Sequence, residues 1–186
     1  KFTHFIGIDW SGAKGKRHKG IQVAVAECGT GAPTLVKPVS GKTNWSRKEV
    51  ANWLSSGAGL GDTAYSLVGI DAAFGMPYHD NGAYFPHNNI AVDDAISLWR
   101  LIANICDGSE DYFGGPFADR FADYYQQQGG RKGQYYSRRM RLTETRCIET
   151  KVGLCESVFN LIGASQVGKS ALSTMIMLNY IADQQQ

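Results

Sequence analysis

The chain has 186 residues, of which 43% are hydrophobic and 19% charged, and it carries a formal net charge of +2 at pH 7. That size suits a single globular domain with a substantial core, and the composition excludes a disordered or fibrous chain. No apolar run reaches the roughly 18 to 20 residues that cross a bilayer, and the N-terminal KFTHFIGIDW lacks the form of a signal peptide, so the expectation is a cytoplasmic protein without a membrane partner.

Residues 5–9, FIGID, form a short apolar run ending in an acid. After a basic turn, SGAKGKRHK, the stretch IQVAVAE alternates as a strand does. CGTGAP is a turn, and TLVKPV is a third strand that Pro38 suits to a sheet edge. Thr43 or Asn44 is the expected cap of a helix through SRKEVANWLSS, where Val50, Trp53 and Leu54 recur at helical spacing. Beyond the break GAGLGD comes AYSLVGID, a further strand that again ends in an acid. The order strand, strand, strand, helix, strand predicts two hairpins, then a crossover that returns the fourth strand parallel to the first.

Residues 74–150 read as an insertion within the single domain 1–186. AVDDAISLWRLIANICD has the pattern of an amphipathic helix, with Ala91, Ala95, Leu98, Ile102 and Ile105 on one side. Residues 111–139 are rich in glycine and aromatics without a settled period and predict irregular structure with short helices. The four cysteines, Cys28, Cys106, Cys147 and Cys155, contain no C-x-x-C pair and are expected as free thiols.

GASQVGKS, residues 163–170, matches the phosphate-loop pattern G-x-x-x-x-G-K-S. A phosphate-loop domain places this motif early and follows it with parallel strands and a magnesium-holding acid, whereas here only one helix, ALSTMIMLNYIAD, follows. The loop is therefore read as the glycine-permitted entry into that helix, with Lys169 available to a phosphate.

The two strands that end alike carry the functional argument. Gly7–Asp9 and Gly69–Asp71 both read GID, and acids at matching ends of adjacent parallel strands, about 4.8 Å apart, can share one ligand. Two such carboxylates repel unless a cation lies between them, and Mg²⁺ or Mn²⁺ prefers oxygen ligands. Asp9 and Asp71 are thus the expected metal ligands, and Glu144 in RLTETR is the expected third catalytic carboxylate. Basic groups next to this set point to a nucleic-acid partner: Lys14, Lys16 and Arg17 in the first turn, and Arg138, Arg139 and Arg141, interleaved with Tyr135 and Tyr136.

On these residues the chain resembles the ribonuclease H-like superfamily, and within it the family of predicted nucleases called domain of unknown function 429. The matching segments are GIDWSGA at 7–13, GIDAAFGMP at 69–77, RLTE at 141–144 and SVFNLIGASQVGKSAL at 157–172. The resemblance implies an α/β fold with three antiparallel strands followed by a parallel one, and metal-dependent phosphodiester hydrolysis. It also implies a further acidic segment beyond the last helix, so that the site is expected to be C-terminally incomplete. The alternatives are a non-catalytic binding or assembly module of the same fold and a nucleotide-binding ATPase or sugar-kinase-like protein, whose folds also open on a G-I-D strand.

Overall fold

The computed structural model describes residues 1–29, 31–61, 64–162 and 167–184. Strands β1 (His4–Asp9), β2 (Gln22–Glu27), β3 (Thr34–Val36) and β4 (Ser66–Ile70) form one sheet in the order β3-β2-β1-β4. β1 and β2 pair antiparallel, as do β2 and β3, while β4 lies parallel to β1. The fold is α/β with a mixed open sheet, as the order of elements predicts. Alternation sets the faces: β1 buries Ile6 and Ile8 and exposes Phe5, Gly7 and Asp9.

α1 (Arg47–Ser55) is the crossover between β3 and β4. Its cap is Ser46, downstream of the expected Thr43 or Asn44, because the Ser46 hydroxyl accepts the Glu49 N–H at 3.1 Å. A distant carboxylate completes the helix start. Asp111 accepts the N–H groups of Arg47 at 2.9 Å and Lys48 at 3.0 Å, so two first-turn donors that the helix cannot satisfy are met from 64 residues away.

α2 (Ala95–Ile105) starts later than its apolar pattern suggests, since Asp94 accepts both the N–H and the hydroxyl of Ser97. Leu98 and Ile102 are fully buried, whereas Ala91 lies before the helix and Ala95 is exposed. α3 (Gly115–Arg120), a series of single 3-10 turns and α4 (Leu142–Glu149) complete the middle of the chain, and α5 (Val167–Asp183) ends it. Among the described residues, apolar packing forms two clusters. One lies between the sheet and α1 and includes Ile8, Val23, Trp45, Val50 and Trp53. The other gathers Leu98, Ile102, Phe117, Phe121, Tyr125 and Phe159 under the helices. α5 supplies Leu172, Met175 and Ile176 to the helical cluster and Met177 to the sheet cluster.

Candidate active site

The register of β1 on β4 decides where the two GID acids go. Gly7 pairs with Gly69 and Ile8 with Ile70, and the Asp71 N–H donates to the Ile8 carbonyl at 2.8 Å, which carries the ladder one residue past the strand. Asp9 and Asp71 are therefore the next matched pair. Each follows an exposed glycine by two residues, so the period of two puts both side chains on the same face of adjacent strands. Beyond them the chain is fixed by Trp10, whose buried indole Nε1 donates to the Ser173 hydroxyl of α5 at 2.9 Å.

Asp9 and Asp71 line a single cleft of about 600 Å³ at the carboxyl ends of β1 and β4, together with Arg141, Glu144, Cys147 and Cys155. Open α/β sheets place ligands in this position, outside the carboxyl ends of their strands. Glu144 is almost fully buried in the cleft wall and tightly engaged. Its Oε2 accepts the Arg141 backbone N–H at 2.7 Å, and its Oε1 accepts from Arg141 Nε at 3.0 Å and Nη2 at 2.7 Å. This ring starts α4, with Glu144 reaching back from the first turn as in a capping box. Glu144 thus lines the same cleft as the aspartates while serving as the ion-pair partner of Arg141. Among the described residues no group of three or more His, Cys, Asp or Glu side chains is assembled as a metal site. Two aspartates still suit Mg²⁺ or Mn²⁺, since Mg²⁺ commonly takes one or two carboxylates and fills its remaining positions with water and substrate phosphate oxygens.

The basic residues separate into different roles. Arg139 departs from the expectation of a phosphate contact. Its guanidinium is buried and donates to both Asp80 oxygens and to the carbonyls of Pro77, Ala83 and Tyr84, so its donors hold the 77–84 loop rather than face a ligand. That pairing holds the Asp80 carboxyl below its ordinary value. Arg17 is likewise committed, donating to the Asn44 carbonyl and Glu49 at 2.7 Å each and to Ser40 at 3.2 Å. Arg138 is exposed and pairs with Glu156 at 3.0 Å. Lys16 is exposed, 3.9 Å from Glu110. Lys14 and Lys169 meet along a separate cavity of about 320 Å³ that also touches Gly12 and Asp119.

The first half of GASQVGKS, residues 163–166, lies outside the described residues. The second half uses its polar groups internally. The Gly168 N–H donates to the Asn160 carbonyl at 3.0 Å, and the Ser170 hydroxyl donates to the Val167 carbonyl at 3.0 Å. A phosphate loop presents such groups to phosphate and Mg²⁺. Gly168 is required for another reason: a Cβ there would overlap the Val158 and Asn160 carbonyls, over which the helix start is packed.

A slightly larger cleft, about 630 Å³, lies between the end of α1, β4 and α5, and its lining is apolar or uncharged, including Leu54, Val68, Leu178 and Ile181. It carries no acid or base, whereas the cleft at the ends of β1 and β4 carries both. Sequence reasoning reached Asp9, Asp71, Glu144 and Arg141 but missed Cys147 and Cys155, for which no local motif was available. Compared with models of protein families, with curated proteins and with solved structures, the chain matches none.

Proposed function

We propose that the chain is a metal-dependent phosphodiesterase of ribonuclease H-like fold that acts on nucleic acid. One observation carries this reading: Asp9 closes β1, Asp71 comes directly after the parallel neighbour β4 with its N–H on the Ile8 carbonyl, and both line one cleft. Asp9 and Asp71 would hold Mg²⁺ or Mn²⁺. Such an ion supplies an acidified water at neutral pH and neutralises charge on the phosphate oxygens. Arg141 stands at the rim with Nε and Nη2 on Glu144, and Nη1 is the part of its fork outside that pair. A substrate phosphate can meet this edge, with Glu144 holding the guanidinium in place. Glu144 is accordingly a positioning residue.

The test is cleavage of labelled DNA and RNA with Mn²⁺ by the wild-type chain and by Asp9→Asn and Asp71→Asn. Losing one ligand removes several kcal/mol of charge stabilisation, so each variant loses roughly 100-fold or more in rate. Equal rates in all three proteins would end the assignment. A second reading, a binding module of the same fold, draws on the engagement of Glu144 with Arg141, which leaves two uncommitted carboxylates. Calorimetric titration with Mn²⁺ separates the two: the phosphodiesterase reading requires binding that Asp71→Asn weakens, and the module reading requires none.

A further inference from the structure

Two sulfurs lie in the wall of the carboxylate cleft. Cys147 is in α4, one turn beyond Glu144, and Cys155 follows the turn that leaves this helix. Both residues are partly exposed and line the same cleft, and Cys147 is among the groups that act on the Cys155 thiol. The connecting turn is lightly held. The Val152 N–H donates to the Cys147 carbonyl at 3.0 Å, Lys151 takes a φ of 56°, and Val152 and Leu154 are 79% and 96% exposed. A disulfide needs Cα atoms within about 7 Å and converging Cβ bonds, and a turn with so little buried side chain can supply that adjustment without disturbing the core. The other two cysteines are placed differently: Cys28 is exposed beyond the end of β2, and Cys106 is buried under α2.

We propose that Cys147 and Cys155 are a redox-sensitive pair, converted by a peroxide into a disulfide that pins the α4 wall of the cleft. In the first step the sulfur of one cysteine, as thiolate, attacks a peroxide oxygen. The O–O bond breaks, the departing oxygen takes a proton and leaves as water, and the sulfur becomes a sulfenic acid. In the second step the other sulfur attacks it, the S–S bond forms, and the sulfenic oxygen departs as a second water. Two electrons pass from the sulfurs to the peroxide. Partial desolvation, then the neighbouring Cys147, holds the Cys155 thiol above its ordinary value, which suits Cys155 to the second step. The tie acts on the helix that carries Glu144 and is capped at Arg141, so oxidation shifts the groups at the rim.

The disulfide stands independently of the phosphodiesterase reading, while its effect on cleavage rests on that reading. The whole chain is treated with hydrogen peroxide, alkylated, digested without reductant and analysed by mass spectrometry. The expected product is a peptide pair joined through Cys147 and Cys155, two hydrogens lighter than the reduced peptides and restored by dithiothreitol. Recovery of the two cysteines alkylated, or separately oxidised to sulfinic acids, overturns the proposal. In Cys155→Ser, a dimedone adduct on Cys147 is expected; its absence argues equally against the pair. Oxidation lowers Mn²⁺-dependent cleavage roughly tenfold or more in the wild type, given the sensitivity of such sites to small displacements, and does not change it in Cys155→Ser. A wild type that forms the disulfide but cleaves nothing before oxidation refutes the phosphodiesterase reading and leaves the redox pair standing.

Discussion

At the residue scale, the glycines of the first motif illustrate two different requirements. Gly7 lies on the exposed face of β1, and a Cβ there meets nothing within 4 Å. Gly12 is pressed against α5, where a Cβ would overlap the carbonyl of Lys169 and the nitrogen of Ser170. Gly12→Ala is therefore expected to destabilise the protein by about 2 kcal/mol through overpacking against backbone. Gly7→Ala is expected to be neutral or to stabilise by about 0.5 kcal/mol, because alanine has less freedom to lose. Urea denaturation of the two variants checks this contrast, and similar midpoints would refute the claim that Gly12 is a contact residue. The motif GIDWSGA thus holds a turn against the last helix as well as carrying an acid. Trp10 does the same from its other side through Ser173.

At the element scale, the start of α1 depends on a buried group of charges. Arg47 is fully buried, and His18 and Asp111 nearly so. Arg47 Nε donates to the Asp111 carbonyl and Nη1 to the Ser11 carbonyl, each at 2.5 Å, while His18 Nε2 lies 3.3 Å from Asp111 Oδ2. Burial pulls the Arg47 guanidinium down to about 10, so it remains charged at neutral pH and depends on Asp111 for compensation. Asp111→Asn leaves that charge unpaired and is expected to cost about 3 to 5 kcal/mol. The His18 imidazole is held below 6.5, first by desolvation and then by Arg47, with Asp111 acting in the opposite direction. The folded state therefore favours neutral His18. Its contribution to stability is complete above pH 6.5, diminishes as the unfolded chain takes up a proton below that, and is gone below the folded pKa. As the pH falls from about 7.5 to 5.5, the wild type should lose stability that His18→Gln does not lose. The depressed carboxyls of Glu49 and Asp80 titrate below this window. Equal slopes for the two proteins over that range would refute the assignment. None of this arrangement was legible in the sequence, because Asp111 reaches His18 and Arg47 across the fold and has no pattern of its own. The strands and their terminal acids were legible, since a period of two and a closing aspartate are local signals. α4 was not, because LTETRCIE has too few apolar residues to show a helical period and its start depends on the Arg141–Glu144 ring.

At the scale of the whole molecule, the helical insertion and the sheet are joined by α5 rather than stacked as separate units. Tyr180 donates to Asn52 of α1 at 2.7 Å, and Met175 and Met177 each reach full burial, in different clusters. The residues 74–150 that read as an insertion therefore pack on the same helix that covers the β-sheet. The opposite sheet face is different: Phe5 is 42% and Leu67 48% exposed. This asymmetry sets where truncation matters. Ile8→Ala and Met175→Ala remove fully packed side chains and are each expected to cost about 2 to 5 kcal/mol, and Phe5→Ala much less. Because α5 belongs to both clusters, the two halves should unfold together. Trp10, Trp45 and Trp53 report on the sheet cluster, and Trp99 packs against the helical one. In Trp99→Phe, fluorescence therefore follows only the sheet side, while far-ultraviolet circular dichroism follows mainly the helices. The two urea curves should coincide, with one midpoint, and should move together when Met175→Ala is added. A circular-dichroism transition that shifts to lower urea while the fluorescence transition stays in place would show that α5 does not couple the halves. The floor of the carboxylate cleft, built by β1 and β4, would then be stable without the α4 wall that brings Arg141 and Glu144 to it.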